Sequence, residues 1–101
     1  MVRVMLQLGM ISSFKHRGLK RFYERGDESR INAQHRKHVQ NILSVLETAK
    51  VIEDIDIPLW RLHPLTGDLQ GFWSLTVRSN WRIIFRFEDG DVSDVDLVDY
   101  H

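Results

Sequence analysis

Two runs of apolar/polar alternation and a third strand-like segment stand close together in the second half of this 101-residue chain, separated by only two or three residues each. In residues 71–78, Trp73, Leu75 and Val77 alternate with Phe72, Ser74, Thr76 and Arg78. In residues 81–88, Trp81, Ile83, Phe85 and Phe87 alternate with Arg82, Ile84, Arg86 and Glu88. Residues 92–100 read as the final strand. A period of two sends successive side chains to opposite faces of a strand. Ser79-Asn80 reads as a tight break, and Asp89-Gly90-Asp91 is a strong hairpin signal. Connections this short leave no room for helical crossovers, so the strands must form an antiparallel meander. Residues 60–65 read as a further short strand, followed by a turn at Thr66-Gly67-Asp68. If these phases hold, the face away from the core displays His63, Ser74, Thr76, Arg78, Arg82 and Arg86.

Upstream the period changes to that of a helix. Residues 14–23 place Leu19, Phe22 and Tyr23 on one stripe, with Lys15, Arg17, Lys20, Arg21 and Arg25 around the rest. Gly26 is a fitting stop. Asn32 can cap a longer helix running to about Lys50, with Val39, Ile42, Leu43, Leu46 and Ala49 as its apolar stripe. Residues 51–59 read as a connector with a short helical turn. Two helices thus precede a sheet, and neither layer can bury its apolar side alone. The expected fold class is α+β, with two N-terminal helices packed on a curved antiparallel sheet.

The length suits one domain with a modest core. The chain has no cysteine, which removes disulfides, thiolate metal ligands and cysteine nucleophiles, and fits a reducing compartment. No stretch is long enough to span a bilayer. Net charge is zero, but the halves differ: residues 1–50 carry ten Lys/Arg and four Asp/Glu, and residues 51–101 carry four and ten. Such asymmetry points to nucleic acid or an oppositely charged partner, or else to two solvated faces of opposite sign.

There is no phosphate-cradling glycine loop, nucleophile elbow or zincin motif. His35 and His38 lack a third ligand nearby and read as solvated helix-surface residues. No metal and no cofactor are expected. His63, Arg82 and the closing Asp99-Tyr100-His101 carry more chemistry, and a terminus of carboxylate, phenol and imidazole is expected to be held down rather than frayed. RNA cleavage by its own 2′-hydroxyl needs a base, a cation for the phosphorane and an acid for the leaving 5′-oxygen. Imidazole suits either proton-transfer role, guanidinium suits the phosphorane, and a phenol can stack on an unstacked base.

Ser13-Phe14-Lys15-His16-Arg17-Gly18-Leu19-Lys20, Leu62-His63-Pro64-Leu65-Thr66-Gly67-Asp68, Gly71-Phe72-Trp73-Ser74, Asn80-Trp81-Arg82-Ile83 and Asp99-Tyr100-His101 occur in this order. The ordered set resembles the HigB-type plasmid-maintenance killer toxins of the RelE superfamily, over residues 10–101. The resemblance implies a ribosome-dependent endoribonuclease that cuts mRNA during translation in the cytoplasm. It also implies a cognate helix-turn-helix antitoxin, through which alone DNA would be bound, and no membrane partner. It places the functional set at His63, Arg82, Asp99, Tyr100 and His101. Members of that family commonly carry a lysine where this chain has Thr66; Arg61 or Arg78 are the nearby cations that would substitute, and the three are candidate RNA contacts. Residues 1–9 read as an N-terminal extension. The alternatives are an RNA- or ribosome-binding module that does not cut, and a toxin-derived subunit of an antitoxin–repressor complex.

Overall fold

The computed structural model describes residues 11–100; the extension expected at residues 1–9 lies outside them. Helix α1 spans Arg17–Arg25 and helix α2 spans Arg36–Thr48. Four strands follow: β1 at His63–Pro64, β2 at Trp73–Arg78, β3 at Trp81–Glu88 and β4 at Asp91–Asp99. They form one antiparallel sheet in the order β1-β2-β3-β4.

Local chemistry accounts for the helix ends. His16 caps α1 by accepting the Leu19 N–H at Nδ1, 3.0 Å away. Gly26 ends it in the left-handed region, φ 73°. Gly18 is required at the first turn, since a Cβ there would lie 2.7 Å from the Cβ of Arg30. Asn32 accepts from the Gln34 N–H and opens a single 3₁₀ turn, Ala33–His35, that leads into α2.

Both helices cover one face of the sheet. Leu19, Val39, Ile42, Leu43 and Leu46 meet Leu75, Val77, Ile83, Phe85, Val92 and Val95 in one buried cluster. Each large apolar side chain taken out of water there contributes roughly 1.5–3 kcal/mol. Residues 11–16 run beside β4, with the Lys15 N–H donating to the Val95 carbonyl at 2.8 Å. That segment closes a sheet edge that would otherwise offer unpaired backbone groups.

Two bulges interrupt the ladders. One lies between Thr76 and Arg78 of β2, and the other opposite the Ile84–Arg86 stretch of β3. At the second, Asp94 takes φ 52°, and Val92 and Val95 both point into the core. The β3–β4 turn is Asp89-Gly90, both with positive φ, as the Asp-Gly signal requires.

The strand expected at residues 60–65 is shorter than its sequence implies. Pro58–Trp60 forms a 3₁₀ turn and Arg61 is left-handed at φ 50°, so pairing begins only at His63. The open face of the sheet is also less bare than expected. Leu65, Phe72 and Ile84 form a second small cluster there, with Leu69 and Val98 against it. Ser74 is fully buried beneath this cover, and its hydroxyl has no hydrogen-bond partner among the described residues.

Candidate active site

Directly opposed residues of an antiparallel pair project to the same side of a sheet. His63 opposes Ser74, and Ser74 opposes Ile84. Thr76 opposes Arg82, and Arg82 opposes Val98. His63 and Arg82 therefore share the face away from the helices. β2 separates their strands, and one two-residue step separates their rows. Their Cα atoms are thus about 12 Å apart.

The His63 ring is exposed, with Nδ1 3.0 Å from the Arg61 carbonyl oxygen. With the proton on Nδ1, the ring donates to that carbonyl and presents Nε2 as an acceptor. Arg82 is half-buried. Its Nη1 donates to the Ser79 carbonyl at 2.6 Å and to the Trp81 carbonyl at 3.2 Å. Those bonds tie the guanidinium to the β2–β3 turn and restrict its swing.

Asp99 and Tyr100 run beside the β2–β3 turn that holds Arg82. Beyond the Trp81–Asp99 pair, the Tyr100 N–H donates to the Asn80 carbonyl at 2.7 Å. Tyr100 follows Val98 by two residues, which by alternation directs it to the open face; it is 41% exposed. Asp99 opposes Trp81 and so belongs by register to the helix side. The strands thus bring His63, Arg82 and Tyr100 to one face and set Asp99 on the other side of the backbone. His101 lies outside the described residues.

Arg61 is exposed two residues before His63, and Thr66 is exposed just before the 3₁₀ turn Gly67–Leu69. Arg78 does not share the open face that alternation gives it. The bulge after Thr76 pairs it with Trp81, so it does not continue the row of Ser74 and Thr76. Its charge bears instead on His35, whose pKa burial pushes below 6.5, with Arg78 and then His38 adding to the shift. His35 is not a solvated surface residue: it is 5% exposed, its ring centre lies 5.6 Å from that of Trp81, and its Nδ1 has no hydrogen-bond partner among the described residues. His38 is exposed as expected.

Alternation marks Phe72 and Arg86 as open-face residues, but not their contact. The Arg86 guanidinium carbon sits 4.4 Å from the Phe72 ring centre, and the Lys15 Nζ sits 5.5 Å from the same centre. No group of three or more His, Cys, Asp or Glu side chains among the described residues could hold a metal ion.

Solved bacterial proteins share this fold of two helices on an antiparallel sheet. The crystal structure of YafQ from E. coli superposes with a TM-score of 0.55 at 16% identity, covering 85% of this chain and 86% of that one. A YoeB/ParE toxin from Agrobacterium tumefaciens gives 0.54 at 15% identity, covering 91% and 98%. At such identities the likeness is one of fold. The sequence is more specific. Residues 12–101 match the model of the HigB-like toxins, described as RelE-like toxins of type II toxin–antitoxin systems. The chain is 45% identical over 92 residues to Endoribonuclease HigB of Proteus vulgaris, covering 91% of this chain and all of the relative. It is 34% identical over 88 residues to Toxin HigB-1 of Vibrio cholerae serotype O1, covering 80% and 87%. The chain belongs to the HigB-like family of RelE-like toxins.

Proposed function

We propose that this chain is a toxin that cleaves mRNA on the translating ribosome, with the RNA 2′-hydroxyl as nucleophile. The observation that carries this reading is the common open face of His63 and Arg82, with Tyr100 tied by its backbone alongside Arg82. Kinship with a protein named as an endoribonuclease supports it.

The chemistry needs three services. A base takes the 2′-hydroxyl proton while that oxygen attacks phosphorus. A cation meets the charge building on the phosphorane oxygens. An acid protonates the departing 5′-oxygen, leaving a 2′,3′-cyclic phosphate and a 5′-hydroxyl. His63 and His101 divide the two proton transfers. Arg82 meets the phosphorane, and its bonds to the Ser79 and Trp81 carbonyls fix it before substrate arrives. Tyr100 stacks on or positions a base. Asp99 orients a neighbouring group. Arg61 and Thr66 flank His63 as RNA contacts, whereas Arg78 would reach RNA only from the helix side. With nucleophile, cation and proton carriers all supplied by RNA and side chains, the reaction calls for no metal.

The partners follow from this reading: mRNA and the ribosome, and a helix-turn-helix antitoxin that silences the toxin in the cytoplasm. No helix among the described residues is long and apolar enough to cross a membrane. Thr66, standing where the family commonly has lysine, favours the second reading of RNA binding without cleavage. Primer extension on translated messages in cells expressing the chain separates the two. New 5′ ends in coding regions that vanish when initiation is blocked support the proposal; growth arrest with unchanged ends supports occupancy alone.

A further inference from the structure

The open face carries a second cationic locus that the cleavage chemistry does not use. Arg86 lies on β3 four residues beyond Arg82, with Ile84 between them on the same face. The two arginine Cα atoms are thus about 13 Å apart along one strand. Several contacts fix the Arg86 guanidinium. It lies over the Phe72 ring, which is itself 4% exposed. Its Nη1 occupies the space above Gly71, where a Cβ would come within 2.7 Å. Its Nε faces Asp94 at 3.4 Å. Asp94 is held in turn at the bulge, where its backbone N–H donates to the Ser13 hydroxyl at 2.8 Å. Lys15 reaches the same ring from the segment that runs beside β4.

We propose that Lys15 and Arg86 form a phosphate subsite for the RNA backbone outside the scissile linkage. This rests on the reading of the chain as an RNA-cleaving toxin. Packing of the 65–72 segment would explain one cation on the Phe72 ring. It does not explain two, of which Asp94 offsets only one. With Nε turned to Asp94, the guanidinium retains the N–H groups of both Nη atoms, in a side chain 47% exposed. A guanidinium held in place before binding loses little freedom on meeting a phosphate. A strand laid along β3 would meet Arg82 at the cleaved linkage and this pair further along.

The test uses the full chain and a fluorescent 2′-O-methyl RNA oligonucleotide, which lacks the nucleophile and cannot be cut. Binding is followed by anisotropy over a range of salt for wild type, Lys15→Gln, Arg86→Gln, the double variant, and Lys37→Gln as a control on exposed α2. Loss of one phosphate contact should weaken binding several-fold and lower the slope of log affinity against log salt by about 0.7. The double variant should lose about twice that slope, the control none, and Arg86→Lys should recover part of the loss. An unchanged slope in both single variants overturns the subsite. If Arg86→Gln fails to fold by thermal melting, exposed Lys15 decides the question alone. Displacement of the RNA by polyglutamate at low concentration, with the same dependence on both residues, would assign the patch to an acidic protein segment and overturn the RNA subsite. Failure of the parent reading looks different: wild type then produces no new 5′ ends in translated message. An unchanged slope with wild-type cleavage intact removes the subsite alone.

Discussion

The Tyr100 N–H donates to the Asn80 carbonyl at 2.7 Å, so Tyr100 continues the β3–β4 ladder past its last residue pair. This bond belongs to the backbone, and the residue as a whole is 41% exposed. Tyr100→Ala should therefore change unfolding free energy by no more than about 0.5 kcal/mol. If the ring stacks on a base, the same substitution should lower cleavage of ribosome-bound message about tenfold or more. Urea denaturation alongside a cleavage assay separates the two roles. A stability loss that accounts for the lost activity would make the ring structural.

His35 makes stability depend on pH. Burial holds its folded-state pKa below the usual 6.5, so the unfolded chain takes up a proton before the folded chain does. Stability contributed by the neutral ring is complete above about 6.5, declines as pH falls below it, and is lost once pH passes the lowered folded value. Asp27 and Asp54, whose pKa values hydrogen bonds push below 3.8, act only in a more acidic window. His35→Phe should flatten the stability profile just below pH 6.5. An unchanged slope in that variant would assign the dependence to another group.

Phe85 is fully buried at the centre of the main cluster, whereas Leu59 is 86% exposed. Phe85→Ala should cost about 3–5 kcal/mol. Leu59→Ala should stay within about 0.5 kcal/mol. Comparable losses by urea denaturation would contradict the placement of the core.

Thr66 stands exposed three residues after His63. Thr66→Lys adds a cation beside the proposed scissile phosphate, and should raise the cleavage rate several-fold with melting temperature unchanged. The check is single-turnover cleavage at saturating ribosomes. An unaltered rate would mean that the position does not touch the reacting phosphate.

The helices and three long strands are readable because burial follows periodicity. The stripe from Val39 to Ala49 is buried, and the Asp89-Gly90 turn falls where its backbone needs place it. Extending that stripe backward through i−4 from Val39 reaches His35, a signal that reveals its burial. The bulges are invisible to a period of two, since one extra residue leaves no compositional mark. That is why alternation assigns Arg78 to the open face. Alternation puts His63 and Arg82 on a common face, as do the pairings of His63 with Ser74 and of Thr76 with Arg82. Asp99 instead follows its register with Trp81, and the two cations on Phe72 need the tertiary structure.

The central claim is that a guanidinium on the open face of β3 drives cleavage by the RNA's own hydroxyl. It is tested most directly in a reconstituted translation complex programmed with a defined message, comparing wild type with Arg82→Ala. The expected result is cut message bearing 2′,3′-cyclic phosphate and 5′-hydroxyl ends with wild type. The variant should be slower by about a hundredfold or more at equal ribosome occupancy. Equal rates, or products with 5′-phosphate ends, would contradict it.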